Sequence, residues 1–231
     1  MLGAETRLVA LLGHPVAHSL SPRMQNAAFA ARGLDWAYVA CDVAPGGLRS
    51  AVVGLGALGF AGANVTAPHK LAATRLDVVD TDAPSVNILR CTPEGIEGWT
   101  SDAAIVEDLD PRRPIILGDG GSAAAFAHAL RDLEPRRYAR RGEWPPDVSG
   151  ADLVVNATSA RDEILAELGP DQTLVDLPYP ESATAVAARA AGARVISGLE
   201  VLVAQGAASF ELWTGIAAPV EVMRRAVGLP A

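Results

Sequence analysis

The sequence predicts an α/β protein made of two successive units, the second of them a parallel sheet. Three observations carry this. Short apolar runs of strand length recur along the chain, as in Leu8-Val-Ala-Leu-Leu12 and Leu153-Val-Val155. They alternate with segments of helical period. A glycine cluster, Gly118-Asp-Gly-Gly-Ser122, joins one such run to an alanine-rich helix. Continuous rather than alternating apolar runs mark strands covered on both faces, as parallel sheets are, and the strand–helix alternation implies right-handed crossovers.

With 231 residues, 50% hydrophobic and 20% charged, the chain has ample material for a core and none of the composition of a disordered protein. A net charge of −8 argues against non-specific nucleic-acid binding. Only Cys41 and Cys91 are present, in no CxxC or Cys/His cluster, so neither a metal site nor a disulfide framework is expected. Residues 1–12 lack a signal-peptide pattern and no apolar run reaches membrane-spanning length. A cytoplasmic protein with no membrane partner is expected.

In order, Leu8-Val-Ala-Leu-Leu12 is the first strand and residues 13–22 a loop. Ser21 followed by Pro22 reads as a helix cap and first position; Met24, Ala27, Ala28 and Ala31 give that helix its apolar stripe. Residues 36–41 form the second strand, and a weak helix covers 48–53. The next strand ends at Asn64-Val-Thr66, with Pro68 and Lys70 in the turn into a short helix. Amide, hydroxyl and ammonium thus crowd one sheet rim within seven residues, which suits a small polyhydroxylated molecule. The same stretch also reads as a polar turn capped by Thr66 with Lys70 in solvent. Residues 85–90 and 95–100 are two strands joined by a turn, and Asp102 opens a helix through Leu109.

The second unit begins at Pro111. Ile115-Ile-Leu117 runs into the glycine turn and a helix to Leu133, the strand–turn–helix opening of a Rossmann unit. A tight turn needs glycine for its own sake, so the motif alone is weak. Further strands fall at 153–155, 174–175 and 193–196, with a helix over 183–191 between the last two. Long helices follow over 199–213 and from Pro219.

Six blocks, in order, resemble the shikimate dehydrogenase family. They are Gly13-His-Pro-Val-Ala-His-Ser-Leu-Ser-Pro22, Asn64-Val-Thr-Ala-Pro-His-Lys70, Ser85-Val-Asn-Ile-Leu89, Thr100-Ser-Asp102, Asp176-Leu-Pro-Tyr-Pro-Glu-Ser-Ala-Thr184 and Gly198-Leu-Glu-Val-Leu-Val-Ala-Gln-Gly206. The resemblance implies an N-terminal α/β substrate domain (residues 1–104), a Rossmann-like cofactor domain (105–198) and C-terminal helices (199–231) that pack back on the substrate domain. It implies NADP(H)-dependent interconversion of 3-dehydroshikimate and shikimate, or a close analogue, by a monomer or homodimer. By the same resemblance Lys70 and Asp102 are catalytic. Ser19 and Ser21 hold the substrate carboxylate, Asn64, Thr66, Asn87 and Gln205 divide the ring hydroxyls, and Tyr179 faces the same cleft. Gly118, Gly120, Gly121, Ser122, Arg140 and Gly198 fall to the cofactor. Two of these residues have a simpler alternative, Ser21 and Asp102 as helix caps.

The departures lie in the second unit. Asp119 stands in the glycine turn, where a carboxylate would oppose a pyrophosphate. In the family an Asn-Arg-Thr grips the 2′-phosphate; here only Arg136-Arg-Tyr-Ala-Arg-Arg141 stands in that place, and the stretch to Gly150 lacks the family's next helix and strand, so this unit reads as truncated. Arg161 and Val201 replace residues that pack near the nicotinamide. Two readings follow: a compact NADP(H) dehydrogenase, or a non-redox relative that binds cyclohexane acids, keeps Lys70 and Asp102 as an acid/base pair and has lost its cofactor.

Overall fold

The computed structural model describes residues 2–230 as two compact units: Met1–Ser101 with Val203–Ala231, and Asp102–Leu202. The breaks fall three and four residues from those expected at 104 and 198.

The first unit carries a six-stranded sheet in the order β2-β1-β3-β5-β6-β4, with β1 Arg7–Gly13, β2 Trp36–Asp42, β3 Gly62–Val65, β4 Val79–Asp80, β5 Ile88–Thr92 and β6 Gly95–Trp99. β1 pairs in parallel with β2 and β3, whereas β5 runs antiparallel to both β3 and β6. The two-residue β4 escapes sequence reading because nothing in Val79-Asp80 is periodic. One face packs on α2 (Leu48–Ala57) and α3 (Lys70–Ala73), with Val52, Leu55 and Ala73 against Ala10, Leu12, Val65 and Leu89. Helices α1 (Ser21–Ala31), α6 (Gly198–Thr214) and α7 (Val220–Ala226) also belong to this unit, α6 from Val203 onward. Phe29 stacks on Phe210 at 5.4 Å and Tyr38 tilts against Trp213 at 6.1 Å. Two glycines allow close packing. A Cβ on Gly62 would stand 2.1 Å from the Leu89 carbonyl, and one on Gly206 2.2 Å from the Met24 methyl.

The second unit is an all-parallel sheet, β11-β10-β9-β7-β8, with β7 Pro114–Leu117, β8 Arg136–Tyr138, β9 Leu153–Asn156, β10 Thr173–Asp176 and β11 Arg194–Ile196. Helix α4 (Gly121–Ala129) links β7 to β8, and α5 (Ala183–Ala190) links β10 to β11. No helix or strand lies between β8 and β9, so β8 is left at the sheet edge as the shortened sequence there anticipates. On one face Ile116, Val155 and Val175 meet Phe126 of α4 and Leu130 just past its end. On the other, Leu117, Val154 and Leu174 are covered by Trp144, Val148, Leu165, Ala166 and Leu168 from irregular segments, together with Ala185 and Ala188 of α5. Apolar burial is indifferent to secondary structure, and here loop side chains do what crossover helices do elsewhere.

Candidate active site

The carboxyl-end rim of β1 and β3 gathers several of the first unit's motif residues. Thr66 N–H donates to the Leu12 carbonyl (2.9 Å) and His14 N–H to the Ala67 carbonyl (3.1 Å), which sets the loop of Ser19 against the Thr66 turn. A Cβ on Gly13 would strike the Thr66 methyl at 2.3 Å, so the opening glycine is needed for this approach. Val86 N–H donates to the Lys70 carbonyl (3.0 Å) and Val65 N–H to that of Asn87 (2.9 Å), which brings Lys70 and Asn87 to the same rim. Lys70 is the first residue of α3, shortly after Pro68. Buried His69 fixes the turn, its Nε2–H donating to the Val43 carbonyl at 2.7 Å. The carbonyl only accepts, so the proton is on Nε2.

Ser21 is not a cap. Helix α1 starts at Ser21 itself, Leu20 holds the cap position, and no side chain caps the helix. Ser21 N–H instead donates to Ser19 Oγ at 3.3 Å, so the two hydroxyls share a tight turn at a helix start with capping left undone. Asp102 is not a cap either: the following turn, Ala104–Asp108, has Ala103 at its cap position, without a side-chain bond. The buried carboxylate of Asp102 accepts from Ser122 Oγ at 3.1 Å within the second unit.

Asn64 and Asn87 sit in a buried amide network. The Asn64 amide donates to the Asn87 carbonyl (2.9 Å) and Ser209 Oγ (2.8 Å) and accepts from the Tyr38 hydroxyl (2.8 Å). Both of its amide hydrogens are spent on protein, so Asn64 positions the rim and offers a ligand no donor. Asn87 accepts from Ser101 N–H (2.8 Å) and donates to Ser101 Oγ (3.1 Å) and Gln205 Oε1 (3.3 Å). Gln205 therefore joins the rim from α6. Tyr38, Ser101 and Ser209 were missed in the sequence because nothing local announces their partners. Gln25, wholly buried, donates to the Gly206 carbonyl at 2.9 Å.

In the second unit the glycine turn has the geometry its motif implies. Gly118 lies at φ 123°, open only to glycine, and a Cβ there would press on the Ala157 carbonyl at 3.0 Å. Gly120 holds the cap position of α4 with no side-chain cap, and a Cβ on it would meet nothing within 4 Å. A helix start without a side-chain cap, beside a glycine with room where a side chain would stand, fits a pyrophosphate. Asp119 is exposed on this turn. Gly198 has a packing reason as well: a Cβ there would collide with the Leu177 and Pro178 carbonyls at 2.4 Å. Tyr179 is half-buried on the loop after β10. That loop is fixed by buried Asp176, which accepts from Asn156 Nδ2 (2.7 Å) and Ser182 Oγ (2.8 Å). Arg140 is engaged with Glu163 and lies over the Trp144 ring at 5.1 Å.

A cleft of about 820 Å³ opens at the opposite, amino-terminal end of this sheet, lined among others by Arg113, Val148, Asp152, Leu165, Pro170 and Gln172. Gln172 spends both amide hydrogens on the Val148 and Ala151 carbonyls, and Asp152 accepts the N–H groups of Arg112 and Arg113. Ligand recognition belongs at the strands' carboxyl ends, as it does in open α/β sheets generally. No group of metal-ligating side chains occurs among the described residues.

A polar, hydroxyl- and amide-lined rim on one α/β unit and a Rossmann-type glycine turn on the other define a nucleotide-dependent enzyme of small polar acids. Comparison with known proteins narrows this. The shikimate dehydrogenase substrate binding domain matches residues 11–88, and the shikimate 5′-dehydrogenase C-terminal domain matches residues 198–227. The NADP(+) shikimate dehydrogenase of Anaeromyxobacter dehalogenans strain 2CP-C is 41% identical, over 98% of both chains. That of Moorella thermoacetica is 43% identical over 96% of this chain and 92% of its own. The shikimate 5-dehydrogenase of Thermus thermophilus, solved with NADP(H) and shikimate, superposes with a TM-score of 0.82 at 32% identity, over 95% of this chain and 98% of that one. The chain belongs to the shikimate dehydrogenase family. An alignment 273 positions long draws at most 231 residues from this chain, so at least 42 positions are gaps on its side.

Proposed function

We propose that this chain is an NADP-dependent shikimate dehydrogenase that interconverts 3-dehydroshikimate and shikimate in the cytoplasm, with Lys70 as the proton donor. The observation that carries the reading is the joint presence of Lys70, Thr66, Asn87 and Gln205 on one rim, in a chain whose relatives bear that name along almost their whole length. The reading in which the acid pocket outlived its cofactor is set aside. Those relatives are NADP(+) enzymes, and the glycine turn here keeps its open, uncapped geometry.

Bound NADPH supplies the hydride that reduces the ring ketone. Gly118, Gly120, Gly121 and Ser122 would hold its pyrophosphate, as first-turn amides suit a dianion. At the ketone, the departing double-bond electrons leave negative charge on oxygen, and the Lys70 ammonium meets it, first as a hydrogen-bond donor and then by giving up a proton. In the reverse direction neutral Lys70 takes the hydroxyl proton. The Asp102 carboxylate would act with it, held in place by Ser122 Oγ. Ser19 and Ser21 hydroxyls, in their shared turn at the start of α1, take the substrate carboxylate, while Thr66, Asn87 and Gln205 hold the ring hydroxyls and fix which carbon faces the hydride.

The test is Lys70→Ala. General acid catalysis is worth about 10²–10⁴-fold, so kcat should drop by that factor with shikimate affinity within a few-fold of wild type. Near-normal turnover in the variant would remove Lys70 from the mechanism.

A further inference from the structure

We propose that Glu163 sets cofactor specificity: by engaging Arg140 it lowers the preference for NADP(H) over NAD(H). This rests on the reading of the chain as a dehydrogenase and asks which dinucleotide its second unit was built to hold.

The location comes from the backbone. Gly118 N–H donates to the Tyr138 carbonyl at 2.8 Å, so the end of β8 lies beside the glycine turn. Arg140 follows two residues later. In a Rossmann unit this place, about 20 residues beyond the glycine turn, reads the ribose 2′ position: a carboxylate accepts from the hydroxyl of NAD, and an arginine receives the phosphate of NADP. This chain brings both kinds of group there, and they are bonded to each other, Arg140 Nη2 donating to Glu163 Oε1.

Neither partner is loose. The Arg140 guanidinium lies over the Trp144 ring, 5.1 Å from its centre. The backbone around Glu163 is pinned to α5: Thr184 Oγ1 donates to the Glu163 carbonyl at 3.3 Å and accepts from Leu165 N–H at 2.9 Å, and Ala183 N–H donates to the Arg161 carbonyl at 2.7 Å. Thr184 is fully buried. Glu163 is thus held where it meets the arginine, and it comes from the irregular segment between β9 and β10.

The charge argument gives the direction. A 2′-phosphate carries nearly two negative charges, and a carboxylate already on the receiving guanidinium both competes for it and repels the newcomer. The 2′-hydroxyl of NAD is neutral and finds an acceptor in the same carboxylate. Both side chains are about half exposed, 55% and 51%, so water and salt screen the effect and hold it to a modest size.

The test titrates NADP⁺ and NAD⁺ by calorimetry into the full-length wild type, Glu163→Gln, Arg140→Gln and the double variant, with thermal melting as the check on folding. Glu163→Gln should tighten NADP⁺ about three- to fivefold without tightening NAD⁺, and the gain should shrink at high salt. Arg140→Gln should weaken NADP⁺, and on that background Glu163→Gln should change nothing more. An unchanged NADP⁺/NAD⁺ ratio in folded Glu163→Gln, or an equal gain without Arg140, overturns the proposal and leaves the dehydrogenase reading intact. If the wild type binds neither dinucleotide, the dehydrogenase reading falls and this proposal with it.

Discussion

Ser19 and Ser21 show what a serine does at a helix start when it is not a cap. Their hydroxyls sit in a turn closed by the Ser21 N–H to Ser19 Oγ bond of 3.3 Å, and α1 begins without either as its cap. The pair Ser19→Ala and Ser21→Ala should therefore weaken shikimate binding by roughly 1–3 kcal/mol, the scale of hydrogen bonds to a charged group. The melting temperature should change little, since the protein bond known to be lost is the long Ser21 N–H to Ser19 Oγ contact at 3.3 Å. Calorimetry beside thermal melting checks both, and unchanged affinity in the folded double variant would falsify the carboxylate assignment. At the rim, Thr66 and Lys70 were legible from type and spacing, and Asn87 and Gln205 from the resemblance; all four arrive there. What each does was less legible. The partners of Asn64, Tyr38 and Ser209, lie 26 and 145 residues away, and Glu163, the partner of Arg140, lies 23 residues on. A side chain's remaining hydrogen-bonding capacity depends on long-range contacts that no local pattern encodes.

At the scale of elements, the second unit's buried strands were readable because continuous apolar runs have few other uses, and the gap after β8 was readable because the stretch to Gly150 lacks the helix and strand that the resembling family has there. The substitutes were not: Val148, Leu165 and Leu168 cover the sheet from segments without regular structure. Such segments need side-chain ties. Asp152, at the mouth of β9, accepts the N–H groups of Arg112 (2.7 Å) and Arg113 (2.9 Å) just before β7. Burial pushes its carboxyl up, but the N–H groups of Arg113 and Arg112 outweigh this and hold it below the ordinary 3.8. A depressed folded value means the stabilisation is complete above the unfolded 3.8 and is lost as pH falls through the lower folded value. Asp152→Asn should then melt about 1–3 °C below wild type at neutral pH, with the difference closing at acid pH near and below 3.8. Melting curves of both proteins across that range decide it; a difference that stayed constant into acid would mean the carboxylate's charge is irrelevant.

The whole molecule is organised by a chain that leaves its first unit at Ser101 and returns at Val203. Residues that return tie the first unit together. Ser209 holds Asn64, Gln205 holds Asn87 and its carbonyl accepts from Ser101 Oγ, the Gly206 carbonyl accepts from Gln25, and the Trp213 Nε1–H donates to Leu89 at 3.0 Å. Phe210 and Met223 are completely buried. Each large apolar side chain is worth about 1.5–3 kcal/mol of burial, and each buried amide stripped of its partner costs about 1–3 kcal/mol. Together these reach the roughly 5–15 kcal/mol by which a whole domain is stable. A fragment ending at Leu202 should therefore lose the first unit's fold even though its complete sheet is present. Near-ultraviolet circular dichroism should show no fixed environment for Trp36 and Trp99, and shikimate should not bind. Supplying residues 203–231 as a separate peptide should restore part of both signals. A fragment that melts cooperatively by itself and binds shikimate would mean that the first sheet needs no returning helix, and that Gln205 and Ser209 only decorate a rim already formed.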